Sequence, residues 1–157
     1  IAMVGINAKN SEFHAAMGLC NLKEFDLILA TRQNISRIYD EAFQDLPMVR
    51  PMTPAGTSYN HAYYPVVFGS EAILLETLAA MNAQNIFPRR YFYPSLSSLP
   101  YVEARESTPV ADDIARRVAC LPLHTNLTAA DVRRVCEVFR ASLTVAAARH
   151  ERTTAVA

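Results

Sequence analysis

Three stretches of the chain carry residue types that could do chemistry. The first is GINAKNS, residues 5–11. Asn7 offers an amide donor, Lys9 a point charge, and Asn10 and Ser11 further polar groups, all just before a segment that reads as a helix. Backbone N–H groups at a helix start are unpaired, and the helix dipole favours negative charge there, so this set suits a phosphate. The same residues also fit a local purpose, with Asn7 shaping a turn, Asn10 capping and Lys9 in solvent. The second stretch is RRYFYP, residues 89–94. In an extended chain Arg89, Tyr91 and Tyr93 share one face, and Arg90 and Phe92 the other. An arginine beside tyrosines can grip a phosphate while an aromatic covers a ring; the alternative is an edge strand with one buried aromatic face and solvated arginines. The third is His61, two residues before the Tyr63–Tyr64 pair, which reads either as structural or as part of a site.

Other chemistry is not indicated. The chain has no Ser/His/Asp grouping, no HExxH and no paired metal carboxylates, so the sequence names no catalytic residue and no metal ligands. Four glycines exclude a dinucleotide fingerprint. His14, His124 and His150 stand apart, on a helix, in a turn and in the tail. Lys9 and Lys23 are the only lysines, which matters wherever an amine is needed. Cys20, Cys120 and Cys136 form no CxxC pair, which points to free thiols in a reducing cytoplasm.

These stretches must be positioned by a chain of 157 residues, 51% apolar and 19% charged, enough for one ordinary domain with a real core. Fifteen basic and fifteen acidic residues cancel, which implies neither a nucleic-acid partner nor a polybasic membrane surface. No apolar run approaches the roughly 18–20 residues of a membrane span. Residues 11–46 read as one long helix, with Phe13, Met17, Cys20, Phe25, Ile28, Ile35, Ile38, Tyr39 and Phe43 near a helical period. Its length predicts a bend or break near Asn21 to Glu24, and Pro47 ends it. HAYYPVVFG reads as a strand that Pro65 demotes to an edge or a bulge. Ser70 caps a second helix with Ile73, Leu74, Leu78 and Met81 on one face. NIFPRRYFYPSL reads as a short strand, SLSSLPYVEARESTP as a loop, and residues 110–117 as a short helix before the strand VACLPLH. Thr125 or Thr128 opens a last helix with Val132, Val135, Phe139 and Leu143 in register, and the tail from 149 on is expected to fray. The expectation is a small α/β sandwich of three strands: a long helix over 1–47, an α/β domain over 48–148 and a disordered tail over 149–157.

Four blocks in order, GINAKNSEFHAAMGLCNL, NHAYYPVVF, NIFPRRYFYPSLSSLPYV and ACLPLHTNLTAADVRRVCEVF, resemble the C-terminal part of the DegT/DnrJ/EryC1/StrS nucleotide-sugar aminotransferases. The resemblance covers residues 4–141, and its first block is the most specific. It implies the small C-terminal α/β domain of the type I aminotransferase fold, preceded by a long interdomain helix, in a cytoplasmic homodimer. It also implies pyridoxal phosphate as cofactor, and transfer of an amino group from glutamate to a keto-deoxysugar linked to dTDP or UDP. The family's Schiff-base lysine belongs to an earlier segment that does not appear in these residues; Lys9 falls at a different family position. By itself the chain is therefore expected to be an inactive part of such an enzyme. Asn7 matches the family asparagine that reaches the cofactor phosphate of the neighbouring subunit. Arg90 and Tyr91 fall on the strand that approaches the sugar nucleotide in relatives, Lys9 where it helps neutralise cofactor or nucleotide phosphates, and His61 where the family often has a histidine at a strand start, so all four are expected to bind substrate. The reading of a different class is a non-catalytic α/β interaction or dimerisation module, favoured by the absent lysine and by the apolar face that a missing large domain would leave.

Overall fold

A computed structural model of the chain describes residues 9–91, 93–102 and 108–154. The expected long helix is two. Helix α1 (Glu12–Lys23) and helix α2 (Phe25–Ala42) meet at Glu24, within the segment where a break was expected. Ser11 caps α1 by accepting from the N–H of His14 at 3.3 Å, with Glu12 in the first turn. No residue of α1 is buried. By contrast Ile35 and Tyr39 of α2, and Phe43 just after it, enter the core, so only the second half of the long helical stretch is packed.

Three antiparallel strands, β1 (Met48–Val49), β2 (Tyr64–Phe68) and β3 (Val118–Leu121), make a sheet in that order. Helix α3 (Glu71–Ala83) follows β2, α4 (Pro109–Arg117) leads directly into β3, and α5 (Ala129–Thr154) follows it. Strand alternation sorts the layers. Tyr64, Val66 and Phe68 of β2 and Ala119 and Leu121 of β3 join Leu74, Leu78 and Met81 of α3 and Val132, Val135, Phe139 and Leu143 of α5 in one core. On the opposite sheet face, Pro65, Val118 and Cys120 look towards α4 and the chain at 95–102. The rings of Tyr39, Phe43, Tyr64, Phe68 and Phe139 interlock at centroid separations of 4.8–6.4 Å. Two helix starts are capped as their sequences predict: Ser70 accepts from Ile73, and Thr128 exchanges hydrogen bonds with Asp131.

Three expectations are corrected. Strand β2 is the middle strand and not an edge, although it holds Pro65. Cys120, opposite Pro65, directs both its N–H and its carbonyl to Arg89, at 2.8 and 3.0 Å. Pro65–Cys120 is thus a non-hydrogen-bonded pair, and the missing N–H of Pro65 faces the other side, where β1 reaches only Val67 and Phe68. The NIFPRRYFYP stretch contributes that single bridge at Arg89 in place of a strand, and the third strand is instead the two-residue β1. The tail is helical as far as Thr154, because Ala146 and Ala147 of α5 are still buried and carry the helix on past them.

Candidate functional site

The segment 89–91 lies between two cavities. The first, of about 520 Å³, is bounded by Asn85 and Arg89, by the end of β3 and the turn after it (Leu121, His124), and by Arg134 of α5. The second, of about 740 Å³, lies on the sheet face away from the main core, between Pro65, Val118, Ala111 and Ile114 and the hydroxyls of Ser95 and Ser97. Tyr63, Tyr91 and Cys120 line both and form their common wall.

The wall follows from local sequence. Tyr63 precedes β2 and falls on the face of Pro65, while its neighbour Tyr64 is buried in the core. Tyr91 meets Tyr63 edge-on at 5.1 Å. Arg89 donates to the Tyr91 hydroxyl at 2.6 Å, and this contact holds its already basic guanidinium further above its usual pKa. Arg134 lies across the first cavity, donating to the carbonyl of Gln84 at 2.6 Å, and His124 is exposed at its rim. The first cavity thus combines cations, an aromatic wall and an apolar floor, a combination suited to an anionic group carried on a ring. The second is mostly apolar with hydroxyls at one end; Ser97 donates to Asp112, whose carboxyl is held below its usual range by hydrogen bonds from Ser95 and Ser97. Burial pushes the Cys120 thiol up to about 11, so it is a wall and not a nucleophile.

The structure brings only part of the expected site together. Asn7 lies outside the described residues. Lys9 is exposed ahead of α1 and lines neither cavity. Tyr91 lines both. Arg90, its neighbour, points elsewhere: it donates to Glu71 at 2.8 Å and to the carbonyl of Arg116 at 2.7 Å, and covers the Tyr93 ring at 3.6 Å. His61 is half-buried with a left-handed φ of 46°, a conformation histidine visits more readily than most side chains. Its Nδ1 is 3.3 Å from the Ser36 hydroxyl and its ring meets Tyr59 edge-on at 4.8 Å. Burial and then the nearby Arg50 hold its pKa below the usual 6.5, against an opposing pull from Asp40. Sequence reasoning missed Tyr63 and Arg134. The alternation through HAYYPVVF, which buries Tyr64 and so exposes Tyr63, was the available signal for the first; Arg134 had none, because its cavity is closed by chain 50 residues away.

The described residues do not build a coenzyme site by themselves. Pyridoxal phosphate needs an amine within reach of its carbonyl, and the two lysines, Lys9 and Lys23, flank α1 away from both cavities. Among the described residues no cluster of metal-ligating side chains occurs, and no helix is long and apolar enough to cross a membrane.

Comparison with known proteins is consistent across sequence and structure. Residues 1–140 match the DegT/DnrJ/EryC1/StrS aminotransferase family. The chain is 33% identical over 146 residues to the dTDP-4-amino-4,6-dideoxy-D-glucose transaminase of Shigella dysenteriae, covering 89% of this chain and 40% of that protein. It superposes on DesI, solved in the presence of its TDP-sugar product, with a TM-score of 0.81 at 29% identity, covering 94% of this chain and 40% of that one. The aminotransferase TlmJ from Streptoalloteichus hindustanus shares the fold, with a TM-score of 0.83 at 22% identity over 92% of this chain and 40% of TlmJ. The chain spans about 40% of the length of these curated relatives.

Proposed function

The chain belongs to the DegT/DnrJ/EryC1/StrS aminotransferase family, a family of pyridoxal-phosphate enzymes, and we propose that it serves in transfer of an amino group from glutamate to a keto-deoxysugar carried on dTDP or UDP. The observation that carries this reading is the unbroken match over residues 1–140 together with relatives named as dTDP-sugar transaminases. Pyridoxal phosphate, when bound, supplies the electron sink for such chemistry. The amine that would hold it lies outside these 157 residues in this reading, so the chain's own part is to bind and orient. Asn7 would donate its amide to the cofactor phosphate of a neighbouring copy, and Lys9 would offset phosphate charge. Arg89, Arg134 and the Tyr63–Tyr91 wall receive the nucleotide-linked substrate; His61 lines neither cavity and reaches the second only through its ring contact with Tyr59. Arg90 was expected to touch substrate, but its contacts with Glu71 and Arg116 support a different part.

The test has two arms. The isolated chain, given pyridoxal phosphate, glutamate and a dTDP-linked 4-keto-6-deoxysugar, should form no 2-oxoglutarate above a no-protein blank; product there would overturn the division of labour. The complete gene product should form it, and Asn7→Ala in that protein should weaken coenzyme retention. A complete protein inert towards every nucleotide-linked keto sugar would sink the aminotransferase reading.

A second reading, in which the segment acts as an association module, is favoured by α1. Phe13, Met17 and Leu22 are 85%, 65% and 68% exposed, and apolar residues occur around the whole helix. The module reading is compatible with the enzyme reading in a cytoplasmic homodimer, and sedimentation of the chain with and without α1 tests it: loss of self-association on removing α1 supports the module, and unchanged self-association refutes it.

A further inference from the structure

We infer that Arg90 is a positioning residue, a clamp that ties the 89–93 segment to two helix ends and so fixes the wall shared by the two cavities. The backbone alone cannot do this. Arg89 meets β3 through one bridge to Cys120, and Tyr91 then turns back on Arg89 with its N–H 3.0 Å from the Arg89 carbonyl. Among the described residues no second ladder pair follows that bridge, so the ladder by itself sets a distance there and not a register.

The Arg90 side chain supplies what the backbone lacks. Its Nη2 donates to Oε1 of Glu71, the first residue of α3, and to the carbonyl of Arg116, one residue from the end of α4. Carbonyls in a last helical turn have no intrahelical donor and attract cations, so the α4 contact satisfies a group that otherwise needs water. Glu71 stands directly after Ser70, which caps α3 by accepting from the N–H of Ile73. The guanidinium carbon lies 3.6 Å from the centre of the Tyr93 ring, a further hold on the far side of the segment. The side chains of Arg90 and Glu71 are 20% and 35% exposed, so this ion pair is screened less than a surface pair. A guanidinium can meet two acceptors in plane and stack on a ring at once; a lysine ammonium cannot. With Arg90 held on one side of the chain, its neighbours Arg89 and Tyr91 are presented to the cavities on the other. Arg90 has this part whichever ligand the cavities take.

Amide hydrogen exchange and Tyr91 ring shifts, measured by NMR on the full chain, test this. Arg90→Ala should speed exchange of the Arg89 and Cys120 amides at least 10-fold and move the Tyr91 ring shifts towards those of an unstacked tyrosine, while Phe139 and its α5 neighbours exchange as before. Arg90→Lys should fail to restore either readout, and Glu71→Gln should give a smaller change of the same local kind. Unchanged exchange and shifts in Arg90→Ala, full rescue by Arg90→Lys, or an equal rise through α5 would overturn the assignment. If Arg90→Ala does not fold, Glu71→Gln decides: a local rise at Arg89 and Cys120 supports the clamp, and no rise refutes it.

Discussion

The Tyr64 hydroxyl donates to Oδ1 of Asp40 at 2.9 Å, joining the middle strand to helix α2. Arg50 pairs with the same carboxylate and places its guanidinium 3.9 Å from the Tyr64 ring. The ring is fully buried, whereas the Asp40 side chain is 49% exposed, so loss of the phenol leaves a carboxylate that water can still reach. Tyr64→Phe should therefore lower the unfolding free energy by about 1 kcal/mol, the net worth of a typical hydrogen bond, and not by the several kcal/mol of an orphaned buried charge. Urea unfolding measures it; a change below about 0.3 kcal/mol would show that the bond is not formed.

His61 predicts a dependence on pH. Its pKa is lower folded than unfolded, first through burial and then through Arg50. Over the interval below the unfolded value of 6.5 the unfolded chain binds more protons than the folded one, so stability is complete above that value and falls as pH drops through it. His61→Gln should flatten the fall between about pH 6.5 and 5 without changing the fall at lower pH, where carboxylates titrate. Superimposable melting curves against pH for the two proteins would refute this. Arg50→Ala should raise the His61 pKa measured by NMR, because the nearby cation is gone.

The three cysteines should react very differently. Cys20 is exposed on α1, while burial pushes the thiols of Cys120 and Cys136 up to about 11. Since the thiolate is the nucleophile, iodoacetamide at pH 8 should label Cys20 rapidly and the other two only in denaturant. Intact-mass spectrometry reads the count; fast native labelling of Cys120 would mean that the shared cavity wall opens in solution.

Local signals carried most of the fold. The spacing of Val132, Val135, Phe139 and Leu143 matches their burial along one side of α5, and the serines at 11 and 70 cap the helices they precede. Such features depend on neighbours a few residues apart. Less legible were the features that distant chain decides. Whether Pro65 sits at an edge depends on which backbone groups Cys120, 55 positions later in sequence, leaves for Arg89. Whether Arg90 meets ligand or fold depends on Glu71 and Arg116, both remote from it in sequence. The Tyr63–Tyr91 contact was not legible, because nothing local to either ring announces the other.

The short reach of β1 has a consequence for behaviour in crowded solution. Among the described residues it leaves the 64–66 stretch of the central strand without a ladder partner on one flank, the kind of gap on which a foreign strand can pair. Pro65 stands in that gap with no proton to offer, so an invading backbone meets a dead position and a kinked profile.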